Sequence, residues 1–240
     1  MLLMLLACAS KTPQVGESAA TAPAAPTPEP ATETVAEPKG GETLAFHMSE
    51  HYAKTLVARD SFIHGEIGAA REALAWIGAH PEPHGMPEGA APFLLQMQEA
   101  AIAGAEASDP SGTAKGIADL GAACGSCHAA FSVSPGIEVG TAPAPSTELM
   151  PHMMRHQWAV GAMWVGLVVP SEDAWSQGTA AMSEAALPEG AYEVPQVSES
   201  AWKHAETAHA AAASQDADRS MTYATVVASC AGCHSEMRGE

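Results

Sequence analysis

The chain has 240 residues, with 28 acidic against 10 basic side chains and a formal net charge of −18. A surface this acidic argues against nucleic acid and anionic lipid head groups as partners; it suits a positively charged redox partner met by electrostatic steering, or serves solubility alone. Beyond the first few residues there is no uninterrupted apolar run of the ~20 residues that a membrane-spanning helix needs.

Residues 1–7 are apolar but too short to cross a bilayer, and they lack the positive segment that opens a full signal peptide. Cys8 follows in Leu5-Leu6-Ala7-Cys8 and precedes a polar, Pro-rich stretch. This pattern resembles the lipobox of bacterial lipoproteins. The resemblance implies that residues 1–7 are the end of a truncated signal, with the true start upstream, that Cys8 is acylated, and that a lipid anchor tethers the protein in the periplasm or cell envelope. The plainer alternative is an ordinary thiol near a ragged terminus. From residue 8 to 42 the chain is Ala, Pro, Thr and Glu with almost nothing large and apolar to bury. Such composition predicts a disordered, extended linker.

From Glu42 onward the sequence repeats itself. His47-Met48-Ser49-Glu50-His51 returns as His152-Met153-Met154-Arg155-His156 at an offset of 105, and Pro87-Glu88-Gly89-Ala90 as Pro188-Glu189-Gly190-Ala191 at 101. Cys124-Gly125-Ser126-Cys127-His128 returns as Cys230-Ala231-Gly232-Cys233-His234 at 106. Landmarks in one order at nearly one offset indicate duplication. Each copy is rich in Ala, Met, Glu and Leu and poor in β-branched alternation, which predicts helices. They fall near 43–63, 66–80, 91–108 and 112–130 in the first copy, and near 147–169, 172–186, 195–213 and 217–237 in the second. The expected organisation is all-α: a domain over 43–131, a linker over 132–146 containing Pro135-Gly136 and Ala142-Pro143-Ala144-Pro145, and a domain over 147–240.

The two Cys-x-x-Cys-His motifs carry the chemistry. On a helix, residues i, i+3 and i+4 share a face, so both thiols can form thioethers to a porphyrin edge while the imidazole reaches the iron. A zinc finger would gather four ligands in one small module, and a thioredoxin-like dithiol would sit in a βαβ context. Neither fits two distant copies that both carry the trailing His, so the expectation is two covalently bound haem c groups. With Cys8 assigned to lipid, no thiol remains for a disulfide.

Only Ser235 to Glu240 follow the second motif, so whatever encloses that haem lies upstream of it. This order resembles the class II c-type cytochromes, the cytochrome c′ group, in which a four-helix bundle carries the motif near the end of its last helix. The resemblance covers about residues 43–131 and 147–240 and implies two tandem four-helix bundles. It also implies that Cys124 and Cys127 hold one haem with His128 as proximal ligand, and that Cys230, Cys233 and His234 hold the other.

In the resembled group the first helix faces the distal side of the haem and supplies a Met ligand or none. Here that helix carries His-Met-x-x-His in each copy, and the i, i+4 and i, i+3 spacings place these side chains on faces that can point inward. His51 and His156 are the first candidates for the sixth ligand, Met48 and Met153 the second, and His47 and His152 the third; core packing is the plain alternative. His64, His80 and His84 read as helix-end or loop residues, and His204 and His209 are five apart, a poor spacing for one helix face. Trp158, Trp164, Trp175 and Trp202 crowd the second copy and read as packing residues.

The leading functional expectation is a non-enzymatic, lipid-anchored electron carrier working between redox partners outside the cytoplasm. A dihaem peroxidase is one alternative, although that type resembles a pair of domains with early attachment motifs. A haem-based gas sensor is another, favoured where an iron lacks a sixth ligand.

Overall fold

A computed structural model describes residues 44–81, 85–184, 186–189, 191, 194, 197–214 and 218–239. Cys8, the linker over 8–42 and His84 lie outside the described residues. Eight helices and no strand occur among the described residues: α1 Leu44–Ile63, α2 Ile67–Ala79, α3 Ala91–Glu106, α4 Pro110–Ala130, α5 Leu149–Val168, α6 Glu172–Met182, α7 Glu199–Ser214 and α8 Arg219–Arg238. The fold is all-α. None of these helices is long and apolar enough to cross a membrane.

Local chemistry sets the helix starts. Asp109 and Asp218 occupy matching N-cap positions before α4 and α8, accepting from Gly112 N at 2.8 Å and Met221 N at 3.0 Å. Each satisfies one backbone donor that the first turn cannot pair internally. Pro110 follows at the first helical position, where a missing N–H costs nothing. Ser171 caps α6 by accepting from Ala174 N, and Ser198 accepts from Ala201 N at the start of α7.

Most boundaries fall within two residues of the sequence expectation, and two differ by four. Helix α6 stops at Met182 rather than 186, with Ser183 as its C-cap, and Glu184 turns outward to pair with Arg155 of α5. Helix α7 starts at Glu199 rather than 195, because the hydroxyl of Ser198 supplies a cap that Pro195 cannot.

Residues 40–240 form one compact unit. Within each half, consecutive helices pack side by side, but α4 also packs on α8 and α5, and α8 also packs on α1. A continuous core runs through both halves, from Phe62, Leu74 and Ile77 through Ile117 and Leu120 to Trp164, Tyr223 and Val227. At the junction Trp164 is fully buried, its ring 5.6 Å from that of Tyr223, with the Arg59 guanidinium 5.9 Å away. Gly121 of α4 makes room for it: a Cβ there would lie 2.6 Å from Trp164 Cζ3. The segment between the halves has no regular secondary structure and is tied down, with Trp158 Nε1 donating to Gly140 O at 2.7 Å and Arg155 to Pro143 O.

Candidate functional site

Both Cys-x-x-Cys-His motifs lie in the last turns of long helices, α4 and α8, where regular backbone places the two sulfurs and the imidazole on one face. Each motif histidine meets the other half of the chain. His128 Nδ1 is 2.7 Å from the carbonyl oxygen of Val168, the last residue of α5, and His234 Nδ1 is 2.7 Å from that of Ile63, the last residue of α1. Ile63 and Val168 are 105 positions apart, the offset of the His-Met motifs, so the two contacts are related by the repeat.

A carbonyl oxygen can only accept, so Nδ1 carries the hydrogen in both rings. In the neutral imidazole that leaves the Nε2 lone pair as the free ligand atom, the arrangement by which an outer hydrogen bond orients a metal-binding histidine. Burial, the largest influence on His234, pushes its pKa below the usual histidine value, with the Ile63 contact opposing and His64 and Arg238 reinforcing the shift. The ring is therefore neutral near pH 7.

The cysteines point the same way. Burial raises the thiols of Cys124 and Cys230 to about 12, with Cys127 and Cys233 respectively adding to the rise. Cys127 and Cys233 are themselves raised by burial. A thiol held protonated is a poor redox nucleophile and a poor zinc thiolate, whereas a thioether carries no charge and suits the same surroundings.

Around the second motif lies a cavity of about 210 Å³, smaller than the roughly 300–1,000 Å³ usual for a small-molecule site. Cys230, Cys233 and His234 line one side, and Met153, His156 and Val160 of α5 line it too. The structure thus gathers two of the sixth-ligand candidates with the second motif in one space. His204 also lines it, packing over Gly232 and standing 3.5 Å from a carboxylate oxygen of Glu236. His64 stacks on His234, with ring centroids 5.8 Å apart and planes within 12°. The sequence reading gave neither histidine a place at the site. The only sequence signal for His204 is its position on the helix preceding the motif; the contact of His64 depends on α1 reaching across to α8.

Around the first half the α1 side chains gather differently. His47 and His51 are buried, their rings 4.2 Å apart, and both approach His80 at the end of α2, at 5.0 and 5.1 Å. Met48 is half-buried on the same helix. Neither ring nitrogen of His51 has a hydrogen-bond partner, an arrangement that costs about 1–3 kcal/mol per buried group. Burial lowers the pKa of His51 to about 4, with His47 and then His80 adding to the shift. In the second half His152 is buried, with its ring 4.3 Å from that of His156.

The residues present fit haem on two counts: motif imidazoles with Nε2 left free, and thiols in surroundings that favour an uncharged sulfur. Compared with protein-family models, curated proteins and solved structures, the chain matches none.

Proposed function

We propose that the chain is a dihaem c-type cytochrome that passes electrons between redox partners outside the cytoplasm and catalyses no reaction of its own. One haem would be held by Cys124 and Cys127 with His128 as proximal ligand, the other by Cys230 and Cys233 with His234. The observation that carries the reading is the repeat-related pair of hydrogen bonds from His128 Nδ1 to Val168 and from His234 Nδ1 to Ile63. Two chance Cys pairs would have no reason to present the same tautomer to the same kind of carbonyl.

Bound haem supplies the one-electron chemistry. The chain contributes the rest: it orients two imidazoles, excludes water with a core shared by both halves, and offers an acidic exterior to a cationic partner. For the second iron, Met153 and His156 are the sixth-ligand candidates, because both line the cavity of the second motif. On α1 the histidines converge on His80, which leaves Met48 as that helix's candidate for the first iron. The all-α architecture and late motifs support a class II reading of each half, with the two four-helix units joined along α4 and α8. Acylation at Cys8 would tether the protein to a membrane of the cell envelope; no helix among the described residues is long and apolar enough to cross one.

The test is expression in a host competent for cytochrome maturation. Two haems per chain are expected by mass and by pyridine haemochrome, falling to one in Cys230→Ala/Cys233→Ala and to one in Cys124→Ala/Cys127→Ala. Apoprotein mass with no Soret band would reject the reading.

A further inference from the structure

The histidines at the start of α1 have a geometry that the haem reading does not use. His47 and His51 lie one turn apart on the buried face of α1, and His80 arrives from the C-cap of α2, where the chain leaves the helix with extended backbone. One ring nitrogen from each of the three lies within 4.8 Å of the others. His51 is 5% exposed, and neither of its nitrogens meets a protein donor or acceptor.

We propose that His47, His51 and His80 form a binding site for one divalent transition-metal ion of the zinc class, separate from both haems. Three imidazoles and no carboxylate make a donor set suited to zinc, copper or nickel and unsuited to calcium or magnesium. Zinc binds imidazole nitrogen at roughly 2.0–2.1 Å, so three donors on a tetrahedral ion stand about 3.3 Å apart. From the present spacing the rings need to close by about 1.5 Å or less, a movement that ring rotation provides. The fourth position would be taken by water.

Neighbouring groups favour the site. Trp76, one turn before His80, stacks on it at 4.0 Å with planes 28° apart, and its edge meets His51 at 5.7 Å, so the ring of His80 is held in place. Glu50 is close enough to His47 to act on it electrostatically and supplies negative charge. Lys54 lies over the Trp76 ring, 5.3 Å from its centroid. The second half keeps the pair His152 and His156 but has no histidine between His156 and His204, and among the described residues the three-histidine cluster occurs once.

This assignment goes beyond the haem reading and takes His51 away from the first iron. Equilibrium dialysis of the full holoprotein against Zn²⁺, with metal counted by mass spectrometry, tests it. The expected result is one more zinc per chain in the parent than in His80→Ala, with both haem spectra unchanged and a matching thermal melt without zinc. His51→Gln, which keeps a polar side chain, should likewise lose one zinc and leave the haem bands as they were. Equal zinc in parent and His80→Ala would overturn the site. So would a changed low-spin haem band in either variant, since the imidazole would then belong to iron. Haem count per chain is read on the same samples, so failure of haem attachment is seen separately from failure of the zinc site.

Discussion

His128 on α4 is held by Val168 on α5: the ring nitrogen Nδ1 stands 2.7 Å from the carbonyl oxygen that ends the first helix of the other half. His234 repeats the contact with Ile63. Each motif therefore borrows its orienting acceptor from the opposite repeat, and the backbone comes close enough there for side-chain size to matter. A Cβ on Gly125 would run into the carbonyl oxygen of Leu167. Gly125→Val is expected to push α5 off α4, to destabilise the protein by about 1–3 kcal/mol and to disturb the first haem's spectrum more than the second's. Urea unfolding and visible spectra of the holoprotein check this; an unchanged midpoint would mean that α4 and α5 do not pack here.

Met153 and His156 share the cavity of the second motif, and His156 is the stronger field ligand of the two. His156→Ala should convert one of the two haems from six-coordinate to five-coordinate, seen as loss of about half the low-spin band, while Met153→Ala leaves that band in place. The reverse pattern would assign Met153 as ligand, and no change in either variant would leave the second iron open to carbon monoxide in the parent protein.

Trp164 fills the junction of the halves with no exposed surface. Removing a buried indole leaves a cavity that the neighbouring helices cannot fully close, so Trp164→Ala is expected to cost about 3–5 kcal/mol. Calorimetry should show both halves losing stability in one transition, because Tyr223 of α8 and Gly121 of α4 line the same gap. Two separate transitions, with only the second shifted, would contradict a shared core.

Gly161 lies in the middle of α5, and a Cβ there would meet nothing within 4 Å. Glycine within a helix costs about 1 kcal/mol relative to alanine. Gly161→Ala should therefore raise the melting temperature slightly and leave both spectra untouched. A fall in stability would show that something packs against this face of α5.

Much of this protein can be read along its chain. All eight helices were legible because helix-forming composition and Pro-bearing connections act over a few residues. The Cys-x-x-Cys-His faces of α4 and α8 were legible for the same reason, since three spacings on a helix fix three directions. The ends of α6 and α7 were missed by four residues each because Glu184 turns to an arginine 29 positions upstream and Ser198 outcompetes a nearby proline. The histidines show the limit more clearly. Sequence spacing paired His47 with His51, but His80 looked like a helix-end residue until α2 folded back on α1. His204 and His64 gained their roles from α7 and α1 lying against α8.

Local order in the chain determined the helices, the duplication and the chemistry that each motif can perform. Only the tertiary structure decided that the two copies interlock, with the carbonyls of Ile63 and Val168 serving the opposite motif's imidazole. The physical reason is range. Helix propensity and capping are settled between residues three or four apart, whereas a carbonyl 40 positions from His128, and another 171 from His234, can be chosen only by the packing of whole helices.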